Sequence, residues 1–333
     1  MEKEERSIIQ VKNLTKRFEN LTAVDDISFE VKEGEIFGLL GPNGAGKSTI
    51  LSMFSTLLMP SNGEAKINDF DIVHQKDKVR NSIGMVFQDP TLDDELTAYE
   101  NLDFHGRLYG VPNEIKKKKI IELLKLVELE QRKDFLVETF SGGMKRRLEI
   151  ARGLLHEPKI LFLDEPTLGL DPQTRNNLWE YIGKLNKETG LTIILTTHYM
   201  EEADKLCDRV AIIDHGKIIA IDSPKHLKNK IGGEIITLET SNQENLSKIL
   251  KKCEWCEKVK VHDGSVTINV DDAEKKVTAL VNLAEKNNIK IDSIMMHKPS
   301  LEDVFLYYTG KTIREEEASD AEHLRMEKRI RIE

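Results

Sequence analysis

The sequence predicts an α/β protein in which a largely parallel sheet, interrupted by a helical insertion, is followed by a smaller α+β domain. Three observations carry the prediction. From residue 8 to about 223, short apolar runs alternate with longer helical patterns, the signature of parallel strands joined by crossover helices. Between about residues 89 and 157 the strand signals give way to helical ones. From residue 224 to 310 strands and helices follow the order βαββαβ, a second folding unit. At 333 residues the chain exceeds most single domains, and one large core plus an accessory unit accounts for the length.

Strands are expected at 36–40, 82–87, 160–163, 192–196, 210–213 and 217–220. Most are β-branched or leucine-rich, as strands buried on both faces are. In the insertion, Thr97 with Glu100 makes a capping box that opens one helix, and Ile120, Leu123, Leu124 and Val127 recur at helical spacing in the next. The basic run from Lys116 to Lys119 reads as a solvated face at the start of that helix, ending near Glu130, in preference to a phosphate or lipid-headgroup patch. In the second unit we expect strand 235–239, helix 244–252, strands 257–261 and 265–270, helix 272–287 and strand 290–296. The order is ferredoxin-like, with His262, Asp263 and Gly264 as the hairpin turn. After Pro299 a short amphipathic helix starts at Ser300, carries Leu301, Val304, Phe305 and Tyr308, and is capped by Gly310. Residues 311–333, mostly charged and without an aromatic side chain, read as a mobile tail or a solvated helix.

Composition excludes several classes of function. With 39% hydrophobic and 32% charged residues, no run approaches the ~20 apolar positions of a spanning helix. The first ten residues carry acids where a secretory signal is basic and then apolar, so a cytoplasmic chain is expected. A net charge of -9 argues against broad nucleic-acid binding, which needs clustered Lys and Arg. The three cysteines are too few for a disulfide framework. Cys253 and Cys256 form a CxxC that is only half a zinc site, and Cys207 reads as core.

The chemistry lies in the first unit. Gly41, Pro42, Asn43, Gly44, Ala45, Gly46, Lys47 and Ser48, with Thr49 after them, fit the phosphate loop GxxxxGK[ST] between an apolar strand and a helix starting near Lys47. The glycines let backbone N–H groups curl around phosphate oxygens, and the helix N-terminus adds partial positive charge. Lys47 would bridge the β- and γ-phosphates of ATP, and Ser48 would give its hydroxyl to Mg²⁺. The strand at 160–163 runs into Asp164 and Glu165, which places Asp164 at the carboxyl edge of the sheet beside the phosphate loop. Asp164 would hold Mg²⁺ and Glu165 would orient and polarise the attacking water. Ser141 can cap the helix carrying Met144, Leu148, Ala151 and Leu155, while Gly142 and Gly143 expose a second set of donors at a helix N-terminus.

Taken in order, the phosphate loop, Gln88, Ser141-Gly142-Gly143, Asp164-Glu165, the segment from Leu168 to Asp171, and His198 resemble the motifs of ABC transporter ATPases over about residues 8–222. The resemblance implies a P-loop NTPase cassette of the ABC type, binding ATP and Mg²⁺. It implies that Gln88 contacts Mg²⁺ and the attacking water, and that His198 contacts the γ-phosphate and Glu165. Phe18 falls where the family has an aromatic that stacks on adenine, the alternative being an ordinary core phenylalanine. The serine-glycine signature of one copy would close over ATP held by another, with Asp171 in the loop crossing between sites, in a head-to-tail homodimer. A separate integral membrane permease would be the other partner, placing the chain peripherally on the cytoplasmic face of the membrane. Phe140, Met144, Leu168 and Phe18 depart from the usual Leu, Gln, Ser or Ala, and Tyr. The second unit, closing with the segment from Pro299 to Leu306 and with Thr309 and Gly310, is similar to the ATPase subunits of bacterial and archaeal drug or antibiotic exporters. The competing readings are an ABC ATPase unconnected with transport and a nucleotide sensor whose second unit binds an effector.

Overall fold

The computed structural model describes residues 6–310 except 20, 254, 257 and 263, and divides into two units, 1–221 and 222–333. The expected tail at 311–333 and Asp263 of the hairpin turn lie outside the described residues.

In the first unit, β1 (Ser7–Phe18), β2 (Leu21–Lys32), β3 (Ile36–Leu40) and α1 (Lys47–Phe54) are followed by β4 (Asn62–Ile67), β5 (Phe70–Asp71), α2 (Lys76–Ser82) and β6 (Ile83–Val86). The helical insertion holds α3 (Ala98–Leu108), α4 (Asn113–Leu126) and α5 (Gly142–Leu154). The chain then returns through β7 (Ile160–Asp164), α6 (Pro172–Thr189), β8 (Thr192–Thr197), α7 (Met200–Leu206), β9 (Arg209–Asp214) and β10 (Lys217–Asp222). The main sheet has the order β10-β9-β3-β8-β7-β6, with β9, β3, β8, β7 and β6 paired in parallel. Every residue of β3, β7 and β8 is buried, which is why their apolar residues stand side by side and not at alternate positions, with Asp164 closing β7 and threonines at both ends of β8.

The four-stranded antiparallel sheet β2-β1-β4-β5 is absent from the sequence reading. Its strands are half-buried, so their apolar content is diluted by outward polar residues. In β2, Ile27, Phe29 and Val31 are buried while Ser28, Glu30 and Lys32 between them are exposed, a period-two pattern that was available as the signal. This sheet packs its buried face on α1 and β3: Phe29 stacks on Phe37 with ring centroids 5.3 Å apart, and Phe54 bridges to Phe162 at 6.1 Å. One core thus joins both sheets of the unit.

The insertion corrects a second expectation. Its capping box is formed, with the Thr97 hydroxyl accepting from the Glu100 amide, but α4 ends at Leu126 and Lys116 is not solvated. Its side chain is buried, donates to Asp103 at 2.8 Å and runs along Gly106 of α3. The apolar stem of lysine covers core surface while the ammonium is paired, a use that charge patterning alone does not reveal. Lys117 and Lys118 are exposed as expected.

The second unit begins with α8 (Pro224–Ile231), which the sequence reading omitted although Ser223 before Pro224 is a start signal. It continues through β11 (Glu234–Thr240), α9 (Gln243–Leu250), β12 (Lys258–His262), β13 (Ser265–Val270), α10 (Ala273–Lys286), β14 (Ile291–His297) and α11 (Leu301–Thr309). The sheet order is β12-β13-β11-β14, all antiparallel. Ile236, Leu238, Leu246, Leu250, Ile268 and Leu280 belong to a core of its own. At α11 the Ser300 hydroxyl accepts from the Asp303 amide at 3.2 Å, the Asp303 carboxylate accepts from the Ser300 amide at 2.8 Å, and Gly310 closes the helix in the left-handed region at φ 79°.

His297 adds a pH-dependent element to that cap. Its Nε2 lies 3.1 Å from Asp303, and the hydrogen bond to this carboxylate raises the imidazole pKa above its ordinary value against the opposing effect of burial. Burial raises the Asp303 carboxyl, but His297 and Ser300 outweigh it and leave it below its ordinary value. A raised histidine stabilises most below its unfolded pKa and loses that contribution as pH rises through the folded one. His297→Gln should therefore melt below the parent protein at about pH 6, by no more than about 1 kcal/mol because the pair is partly exposed. The difference should vanish at about pH 9, as thermal unfolding at both values would show.

Candidate active site

The carboxyl ends of β3, β7 and β8 meet where the phosphate loop begins. Gly41 lies so close to β9 that a Cβ there would stand 2.2 Å from the Ile213 carbonyl. Pro42 and Ala45 are buried in the loop, Asn43 and Gly44 are exposed, and Gly44 has a positive φ of 84°. Gly46 is the N-cap of α1 at φ 104°, with no side-chain hydrogen bond to the first turn. A capping side chain would occupy those N–H groups; without one they are available to an anion. Lys47 folds back over the loop, donating to the Gly41 carbonyl at 2.7 Å and the Pro42 carbonyl at 2.9 Å, with Glu165 at 3.2 Å. Thr49 is half-buried on the next step of α1.

Asp164 ends β7, and its Oδ1 accepts from Ser48 Oγ at 3.0 Å and from Thr196 Oγ1 at 2.6 Å. The same Thr196 oxygen accepts from the Glu165 amide at 2.9 Å, so one hydroxyl fixes both acids. Glu165 sits at φ 46°, a left-handed conformation that costs a non-glycine residue roughly 1–3 kcal/mol and is tolerated where surrounding contacts over-determine it. Those contacts are Lys47 on one carboxylate oxygen and His198 Nδ1 on the other at 2.8 Å. The Lys47 and Glu165 side chains are only 5% and 6% exposed. Burial pushes the Glu165 carboxyl up, but the His198 hydrogen bond and the Lys47 ammonium outweigh it and hold the group below the ordinary glutamate range. It is a carboxylate at neutral pH, the form that orients and polarises water.

Lys47, Ser48, Asp164, Glu165 and His198 are thus joined in one network. Gly41 and Pro42 join it through the carbonyls that Lys47 binds, while Phe18, Gln88, the serine-glycine segment and Asp171 stand apart. Phe18 is 40% exposed at the end of β1 with the Lys16 ammonium 4.8 Å from its ring centroid, so it is not a core residue. Gln88 is exposed in the loop after β6. Ser141 caps α5 by accepting from the Met144 amide at 3.3 Å, with Gly142 and Gly143 in its first turn. Asp171 caps α6 by accepting from the Gln173 and Thr174 amides at 3.1 and 3.0 Å.

Sequence reasoning missed the residues that brace this network. Thr196 read only as a strand position, although paired threonines ending an apolar strand were the available signal. Arg146 was not singled out; it is buried, donating to the Asp164 carbonyl at 2.7 Å, the Pro166 carbonyl at 2.9 Å, Glu149 at 2.9 Å and the Phe87 carbonyl. It therefore ties the loop before Gln88 and the loop after Glu165 to α5. Glu202, fully buried, accepts from Thr167 at 2.9 Å and Trp179 at 2.8 Å. Arg175 lies over the Tyr199 ring at 4.1 Å, and that ring contacts His198.

This geometry agrees with what the chain is similar to. Residues 24–168 match the family described as ABC transporter, and residues 223–309 match the ATP-binding protein DrrA1-3-like C-terminal domain. The linearmycin resistance ATP-binding protein LnrL of Bacillus subtilis is 43% identical over 92% of this chain and 100% of its own length. The chain belongs to the ABC transporter ATP-binding proteins. The daunorubicin/doxorubicin resistance ATP-binding protein DrrA of Streptomyces peucetius is 37% identical over 91% of this chain and 92% of its own. Among solved structures, cbiO1 from Clostridium perfringens, part of the ABC transporter complex cbiONQ, is 31% identical with a TM-score of 0.64, covering 74% of this chain and 96% of that one. A dimeric ATP-binding cassette in a post-hydrolysis state bound to ADP and Pi is likewise 31% identical, with a TM-score of 0.57, covering 65% of this chain and 98% of that one.

As a member of this family the protein is an ATPase that uses Mg²⁺. Ser48 and Asp164, with oxygens 3.0 Å apart, form the hydroxyl-and-carboxylate set that suits a hard divalent cation. When bound, the ion would neutralise charge on the terminal phosphates. Among the described residues no helix is long and apolar enough to cross a membrane. Replacing Thr196 with Val keeps its shape but removes both bonds to the acids, leaving the buried Glu165 amide unpaired, a loss of about 1–3 kcal/mol. Thr196→Val should raise the Mg²⁺ concentration needed for half-maximal hydrolysis and lower kcat, measured by phosphate release across a Mg²⁺ titration.

Proposed function

We propose that this protein is the motor subunit of an ABC exporter, in which residues 8–223 form the ATPase cassette and residues 224–310 an accessory domain. The observation that carries the catalytic assignment is Glu165, ionised and held between Lys47 and His198 at the end of β7. Lys47 and the amides of residues 41–49 bind the phosphates, Ser48, Asp164 and Gln88 serve Mg²⁺, and Glu165 orients the attacking water. His198 steadies Glu165 and meets the γ-phosphate. Phe18, exposed at a strand end, offers its ring to adenine. These features support hydrolysis over a sensor that merely binds nucleotide.

Ser141, Gly142 and Gly143 act on ATP held by a second copy, and Asp171 lies in the loop between the two sites of a head-to-tail homodimer. The dimeric cassette bound to ADP and Pi supports this reading. A cavity of about 430 Å³ beside the signature, lined by Ser141, Gly143, Arg147 and Tyr181, supports approach to this part of α5. A membrane permease would engage the groove of about 180 Å³ next to Phe87, where Arg80, His105, Tyr109, Arg152 and His156 line the walls. Leu57, Phe104 and Leu108, exposed in the same unit, add the apolar surface that marks a protein contact. The chain would then lie in the cytoplasm against the membrane. Export is favoured because relatives include the linearmycin resistance protein and the Nod factor export ATP-binding protein I of Ralstonia nicotianae, 38% identical over 92% of this chain. Which solute is moved is decided by the permease.

Glu165→Gln should leave ATP binding intact and lower turnover by about 10²–10⁴-fold, the usual contribution of a positioned general base. It should also accumulate as an ATP-bound dimer on size-exclusion chromatography. Near-normal steady-state hydrolysis by the purified variant would remove Glu165 from this role.

A further inference from the structure

We propose that Thr174 is a positioning residue whose methyl group, packed against Gly143, couples the serine-glycine signature to the Asp171 loop within one chain. The inference deepens the shared-site reading above, on which it rests. In that reading the signature and the Asp171 loop are two surfaces offered to the second copy. Thr174 makes them move as one.

A Cβ placed on Gly143 would lie 2.5 Å from Thr174 Cγ2, and a Cβ on Gly142 would lie 3.1 Å from Leu170 Cδ2. Both glycines lie in the helical first turn of α5 and neither has a positive φ, so what they supply is space and not an unusual backbone. Gly143 is buried while Gly142 and Ser141 are exposed. The position of a side chain on the second glycine is therefore filled by α6 of its own chain.

Thr174 cannot easily give way. It is the third residue of α6, and its amide donates to Asp171 at 3.0 Å. The Asp171 carboxyl lies below its ordinary value mainly through hydrogen bonding with the Thr174 hydroxyl and amide, so the hydroxyl is engaged on one side while the methyl faces Gly143. A β-branched side chain in a helix has few alternatives at χ1. Added volume at this contact must displace α5 or α6. Displacing either changes the spacing between Ser141 and Asp171, the spacing that the second copy must match.

The test is a size exchange in the full-length protein. Gly143→Ala should lower kcat by about tenfold or more while binding of ATP to the isolated chain, measured by equilibrium dialysis, changes by less than about twofold, because overpacking acts at the α5–α6 contact and not at the phosphate loop. Thr174→Ser removes the Cγ2 methyl, and the double variant Gly143→Ala/Thr174→Ser should recover most of the lost kcat. Thr174→Ile, bulkier at the same point, should reproduce the loss with Gly143 intact, which keeps the test decisive if Gly143→Ala does not fold. A double variant as impaired as Gly143→Ala, or a Thr174→Ile protein with normal kcat, overturns the proposal. Ser141→Arg separates the underlying reading: normal hydrolysis by that variant removes the shared site itself, whatever the outcome of the exchange.

Discussion

Parallel pairing of β3 with β8 and of β8 with β7 is the constraint from which the site follows. The register sets Leu40 beside Thr197 and Thr196 beside Asp164, so three strands end together and their loops leave at one edge. That edge is where open α/β sheets collect ligands. Once it exists, the helix after β3 aims its N-terminus at the point where β7 delivers two acids and β8 a hydroxyl. No single loop makes the site.

The cost of this convergence is a concentration of buried charge. Lys47 against Glu165 and Arg146 against Glu149 are nearly inaccessible pairs, and such pairs offset their desolvation only when every lone pair and proton is used. Here they are used. Lys47 has two loop carbonyls besides Glu165, and Arg146 gives its guanidinium to the Phe87 carbonyl after β6 and to the Asp164 and Pro166 carbonyls at and after the end of β7. Breaking one partner would strand a buried charge, so the network resists gradual distortion. Arg146 carries a further consequence. By holding Phe87 and Pro166 to α5, it makes the loop before Gln88, the catalytic loop and the signature helix one connected object.

The second unit answers to separate rules. Its sheet and helices enclose an apolar core of their own, and its helix α11 is fixed at both ends by Ser300, Asp303 and Gly310. Cys253 and Cys256 are free thiols, and burial raises the Cys256 thiol to about 12. Cys207, in the first unit, is buried against Gly38 and likewise pushed up by burial.

What the sequence by itself determined was whatever local chemistry dictates. Strands buried on both faces must be apolar throughout, so the main sheet was legible, and a loop that wraps phosphate needs glycines before its lysine, so residues 41–49 were legible too. Caps at Thr97, Ser141, Ser300 and Gly310 depend on neighbours within four residues and could be read directly. The half-buried strands β1 and β2 were missed because polar residues dilute their apolar content, although the alternation of residues 27–32 in β2 was there to be read. Tertiary structure alone decided the rest. Burial turned Lys116 from an expected surface charge into a structural one and made Arg146 a brace of the site, and chain crossings placed Thr196 between two acids and Thr174 against Gly143. These roles come from residues distant in sequence meeting in a low-dielectric interior, where an unpaired group is costly and a paired one holds its neighbours in place.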